Sequence, residues 1–219
     1  MSLRQLLAFP LVVALTALLS ACGTPVSKDM SASDFDRKAV IVFSVSHDLE
    51  IGDGAKTLLY LDAASMSTRV WYPSMRDVLS VPVGSDFTDR RGHLYVEEVT
   101  PGRHQFDAWQ VVTQNVRLFR KATPPPLVFE AKAGEVIYLG NVHARLLRGQ
   151  RVLGGYAANR GLPTVVDRSD QDIPMAEARI PALKGKVRVA LLPEGPWLAE
   201  SEKNSTTQPV YQGMRIERR

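Results

Sequence analysis

The sequence predicts a mainly β protein: an antiparallel β-sandwich with one late helix, preceded by a cleaved signal peptide. Three observations carry this expectation. Short runs rich in Val, Ile, Tyr, Phe and Trp recur at strand length along the chain. Gly- and Pro-containing turn signals separate them. A single stretch, near residues 172–180, combines N-capping residues with helical spacing of its apolar positions.

Taken in order, Lys38 to Ser46 (K-A-V-I-V-F-S-V-S) is the first strand. Gly52-Asp53-Gly54 turns the chain into a second strand, Thr57 to Asp62. A third, Thr68 to Tyr72, is stopped by Pro73. Residues 74–92 form a longer connection in which Asp86 and Asp89 compensate Arg90 and Arg91. His93 to Val99 and His104 to Thr113 flank Thr100-Pro101-Gly102-Arg103, whose Pro and Gly fit a type II turn. That pattern predicts a β-hairpin with Leu94, Val96, Phe106 and Ala108 inward. Pro124-Pro125-Pro126 is a stiff spacer before the strand Leu127 to Ala131. Lys132-Ala133-Gly134 turns into a long strand, Glu135 to Leu147, in which Gly140 marks a bulge. Leu153, Tyr156 and Leu162 to Val166 suggest further strands. The run Asp167 to Asp172 offers several capping residues for the helix, and Pro181 ends it. Val187 to Leu192 is a last strand. The domain is expected to span 38–195, with a disordered tail over 196–219.

The first residues carry an address. Arg4 gives a positive start, Leu6 to Leu19 is apolar apart from Pro10 and Thr16, and small residues follow. This is the layout of a secretory signal peptide, and the run is shorter than the roughly 20 apolar residues a membrane-spanning helix needs. The Leu19-Ser20-Ala21-Cys22 tetrapeptide resembles the lipobox of bacterial lipoproteins at every position. The resemblance implies cleavage between Ala21 and Cys22 and lipidation of Cys22. One acyl chain binds a bilayer only marginally, whereas two or more anchor it stably. Gly23, rather than Asp, implies the outer membrane, lipid-anchored and facing the periplasm, for a Gram-negative host. Residues 22–37 are small and polar and read as a flexible tether.

Removing residues 1–21 from the 219 leaves 198, enough for one domain with a proper core. Against 23 Asp and Glu, the 27 Lys and Arg fall by Arg4 alone, an excess of 3 in the mature chain. So mild an excess is no nucleic-acid footprint. Cys22 is the only cysteine, so packing rather than disulfides must hold the domain.

The stretch V-T-P-G-R-H, and then A-K-A-G-E-V-I-Y-L, resembles a pattern of uncharacterised bacterial lipoprotein domains over roughly Lys38 to Asn141. The D-R-S-D-Q-D helix start before P-A-L extends the likeness to about Leu183. It implies an Ig-like or transthyretin-like sandwich and no activity.

The candidate chemistry is sparse. His47, His93, His104 and His143 show no metal-ligand spacing and read as surface or turn residues, so no metal or cofactor is expected. Asp167, Asp170 and Asp172 lack the Gly and Glu of a calcium loop and read as helix caps. No G-x-S-x-G, S-x-x-K or H-E-x-x-H motif is present. Trp71, Tyr72 and Trp109, with Tyr95, offer either core packing or a binding surface. The sequence thus favours a membrane-anchored, non-catalytic module that binds an envelope protein. A small-ligand or glycan binder, or a hydrolase with an unrecognised site, is the alternative.

Overall fold

The computed structural model describes residues 24–26, 37–49, 55–62, 70–75, 77–78, 81–82, 84–113, 117–118, 124–150 and 156–199. The strands, in chain order, are β1 (Thr24–Pro25), β2 (Ala39–Asp48), β3 (Ala55–Leu61), β4 (Val70–Pro73), β5 (Asp77–Val78), β6 (Val81–Pro82), β7 (Arg90–Val99), β8 (Gly102–Thr113), β9 (Arg117–Leu118), β10 (Leu127–Ala131), β11 (Val136–Gln150) and β12 (Tyr156–Val166). Helix α1 (Ser169–Arg179) and a 3₁₀ turn (Pro181–Leu183) follow, then β13 (Val187–Val189) and β14 (Gly195–Pro196). Two sheets pack face to face, and the expected β-sandwich with one helix is what forms. The first sheet runs β1-β7-β2-β11-β12-β14 with β13 beside β11, the second β10-β8-β3-β4 with β9 beside β8. Pairing is antiparallel except that β11 runs parallel to both β2 and β13. An immunoglobulin sandwich keeps its first two strands in one sheet. Here β2 and β3 lie in opposite sheets, although β1 and β2 share the first.

Alternation fills two cores. On β2, Ala39, Ile41, Phe43 and Val45 face the second sheet. Phe43 sits at the centre there, edge-on to Tyr72 at 4.9 Å and stacked on Tyr95 at 5.4 Å. The intervening Val40 and Val42 point outward, where Tyr138, Ala176, Ile180 and Leu183 cover them. Helix α1 therefore closes a second, smaller core on the outer face of the first sheet.

Several expectations are corrected. Thr100-Pro101-Gly102-Arg103 does not close a hairpin, because β7 pairs with β2 while β8 pairs with β3 and β10. Pro and Gly reverse the chain equally well at a corner between sheets, and Gly102 takes φ +147°. The residue opposite His104 is Phe129, on β10. His104 pins this corner: Nδ1 meets the Asp62 carboxylate at 2.5 Å and Nε2 meets the Thr100 carbonyl at 2.7 Å. Both partners accept only, so the doubly protonated ring fits best. The hydrogen bond to Asp62, aided by that to Thr100, raises the His104 pKa against the opposing effect of burial.

A raised folded pKa stabilises fully below the unfolded value and is lost as pH rises through the folded one. Denaturant unfolding should therefore show His104 contributing more stability at about pH 5.5 than at about pH 9, a difference that His104→Gln removes. An unchanged pH dependence in the variant would contradict the assignment.

The ends of the domain also differ from expectation. The tether is not free at its start: Thr24 and Pro25 pair with Glu98 and Glu97, and Val26 is buried. At the other end, Gly195 and Pro196 pair with β12, and the Trp197 indole donates to the Pro125 carbonyl at 2.7 Å. The packed chain runs through Ala199 rather than ending at 195. Leu153 and Cys22 lie outside the described residues, and β12 is one strand where the sequence suggested separate pieces.

Candidate functional site

A bulge builds a polar patch on the outer face of the first sheet. Tyr138 pairs with Val42, yet Asn141 pairs with Ser44, so β11 spends one residue more than β2. Gly140 takes up the extra residue at φ +106°, a conformation that favours glycine. The side-chain alternation of β11 is thereby inverted. Ile137 and Leu139 point into the inter-sheet core before the bulge, and Val142 and Ala144 after it. Asn141 and His143 consequently join Tyr138, Ser44 and Ser46 on the face that carries α1.

These side chains form one directed hydrogen-bond chain. The Asn141 amide donates from Nδ2 to Ser44 Oγ at 2.7 Å and to Ser46 Oγ at 3.0 Å. Ser44 then donates to Asp172 at 2.6 Å. In the other direction Ser46 Oγ lies 2.9 Å from His143 Nδ1, and His143 Nε2 lies 3.1 Å from Asp48. A carboxylate, which only accepts, thus terminates each branch, and Ser46 Oγ also lies 3.0 Å from Asn141 Oδ1. Burial holds the His143 pKa below the usual imidazole value, despite the hydrogen bond to Asp48. The neutral ring accepts from Ser46 and donates to Asp48.

Asp172 is the anchor of the inner branch. It is fully buried and receives Tyr138 Oη at 2.8 Å and Arg90 at 2.9 Å in addition to Ser44. Burial pushes its carboxyl pKa up, while the bonds from Ser44 and Tyr138 and the charge of Arg90 pull the other way. Burial and the Asp172 charge also push the Tyr138 phenol upward, so it stays a donor. Arg90 is itself buried. It holds Asp172 and Gln171 of the first helical turn and lies 3.6 Å over the Phe87 ring. At the other end of the helix, Arg179 binds Asp86 at 2.9 Å. Burial opposes ionisation of Asp86, but His93, Arg179 and the Leu94 amide hold its pKa at about 2.

Here too the sequence reading is corrected. Asp172 is no cap but a buried counter-ion, and α1 has no side-chain cap at its N-cap residue. Arg90 is not a loop charge. His47, His93 and His104 are buried rather than superficial, because each meets an oxygen acceptor or hydroxyl inside the fold. Tyr72 and Trp109 line the inter-sheet core and offer no binding surface, since burying their rings in a sandwich gains more than exposing them. Trp71 belongs to β4, and its side chain lies outside the described residues. Among those residues no group of His, Cys, Asp or Glu is placed to hold a metal ion.

Ser46, His143 and Asp48 stand in the order of an acyl-transfer triad, but three features set them apart. His143 turns Nδ1 to the serine and Nε2 to the acid, opposite to the usual assignment. Ser46 is fully buried, and its hydroxyl is also bonded to Asn141. Solvent reaches the acid end instead, where the His143 and Asp48 side chains are 24% and 32% exposed. The polar row holds α1 and the bulge in place and shows no open nucleophile. No family model and no characterised protein matches this chain.

Proposed function

We propose that the chain is a lipid-anchored, periplasm-facing outer-membrane lipoprotein whose sandwich is a non-catalytic binding or assembly module. The lipobox at Leu19 to Cys22 is the observation that carries the anchor. In support of the module, Ser44, Tyr138 and Arg90 are all bonded to Asp172 where the helix meets the sheet. A partner has an edge to use. Among the described residues β10 pairs only with β8, and its outward Val128 and Glu130 are exposed. An extended segment of an envelope protein added there would satisfy the outer backbone groups of β10.

Palmitate labelling and fractionation test the anchor. Cys22→Ser should abolish label and leave an uncleaved or soluble precursor. A variant still processed and membrane-bound contradicts the reading. In-cell crosslinking of the lipidated protein, followed by mass spectrometry, tests the module, which should yield one stoichiometric envelope partner through residues of β10.

The Ser46–His143–Asp48 row supports a second reading, a serine hydrolase that opens on binding substrate. A fluorophosphonate probe discriminates between the two. The module reading expects no label beyond that of Ser46→Ala, whereas label lost in that variant would establish the hydrolase.

A further inference from the structure

We propose that the end of the sandwich beside Cys22 lies on the membrane and binds anionic lipid headgroups, as a second anchor alongside the acyl chains. The inference rests on the lipoprotein reading for the position of the lipid, and on the register of the first sheet for everything else. Thr24 is paired with Glu98 in antiparallel sense. Thr24 therefore stands near the end of β7 that leads into the Thr100–Gly102 corner, where the chain crosses to β8. Two residues span at most about 7 Å, so the lipid-bearing residue cannot stand far from that corner. The domain therefore hangs on almost no tether, and the end carrying Thr100 must meet the bilayer.

That end is basic. Val40, Glu98, Val136 and Val187 lie side by side across four strands, which fixes what projects beyond them. The Gly134 amide binds the Lys38 carbonyl at 2.9 Å, and Ala131 pairs with Gly102, so the 131–135 turn closes against both the start of β2 and the corner. Around this end Arg37, Lys38, Arg103, Lys132, Lys184 and Lys186 are all exposed. The acids nearby are fewer: Glu98 binds Lys38, Glu135 binds Arg188, Glu177 accepts from the Gly185 amide at 2.9 Å, and Glu130 sits opposite Arg103 on the neighbouring strand. These cations come from four separate segments, 37–38, the 100–103 corner, 132 and 184–186, which only the fold brings together. A cationic end held by its own lipid against an anionic surface gains attraction from each added Lys or Arg, and salt screens it.

The test uses the lipidated protein purified from its membrane and reconstituted in vesicles, either pure phosphatidylcholine or phosphatidylcholine with phosphatidylglycerol. Lysine acetylation is then followed residue by residue by mass spectrometry. Lys132 and Lys184 should react about fivefold or more slowly on the phosphatidylglycerol vesicles, the effect of about one favourable cation contact, with recovery in high salt. Lys56, at the opposite end of β3, should be unaffected. Equal labelling on both vesicle types by a chain that cosediments with both overturns this inference and leaves the lipid anchor standing. Cosedimentation with the anionic vesicles alone supports the basic surface and overturns the lipid anchor. A chain that remains in the supernatant with both overturns the two together.

Discussion

Asp172→Ala is expected to cost about 3–5 kcal/mol, the usual loss when one member of a buried ion pair is removed. In a domain of this size that lowers the melting temperature by about 10 °C. The reason lies in what remains. Arg90 is 2% exposed, and without Asp172 its charge is left in the interior with Gln171 and Asp89 as partners. Ser44 and Tyr138 lose their acceptor in the same stroke. The double variant Arg90→Met, Asp172→Leu should recover much of the loss, since apolar residues of similar volume replace buried pairs at little cost. Calorimetry of the three proteins checks both statements. A loss below about 1 kcal/mol for Asp172→Ala, the range of exposed pairs, would show that this carboxylate does not hold the helix.

Gly92→Ala should be nearly as damaging, at about 3 kcal/mol, the upper part of the range for overpacking. Gly92 lies directly opposite Ser46 across β7 and β2. A Cβ there would stand 2.6 Å from both Ser46 Cβ and the Val45 carbonyl oxygen. Neither atom is the end of a flexible side chain, so the two strands must move apart. That movement would also stretch the Ser46 contacts to Asn141 and His143. Chemical denaturation gives the magnitude, and amide exchange on β2 should accelerate at Ser44 to His47. A variant as stable as the parent would mean that the strands part without cost.

Much of the fold is legible in the residues. K-A-V-I-V-F-S-V-S, L-V-F-E-A and the Gly140 bulge lie where their β-branched content and turn neighbours place them, because strand formation is a local preference reinforced by burial. The crossing of β7 to β8 is not legible, since T-P-G-R has the same local chemistry at a hairpin and at a corner; only the distant partners of Phe106 and Phe129 decide. The polar row was hidden for a similar reason. Ser44 and Ser46 alternate with Phe43 and Val45, which signals a polar outer face, but Asp172 is more than a hundred residues away and looks like a cap. Arg90 likewise sits among loop charges in the sequence, and its burial follows from a helix that arrives only after β12. The lone signal that could have raised His143 is N-x-H after a bulged glycine, which places both side chains on one face.

The extra residue at Gly140 makes β11 a strand read in two frames. Insertions and deletions are commonly harmless in loops and harmful in strands, yet here the strand depends on an insertion. Loss of that one residue would carry Asn141 and His143 into the apolar layer between the sheets and turn Val142 and Ala144 toward the helix. No single side-chain replacement could exchange the two surfaces so completely. Sequence drift along β11 is therefore constrained less by which residues occur than by how many stand between Tyr138 and Asn141.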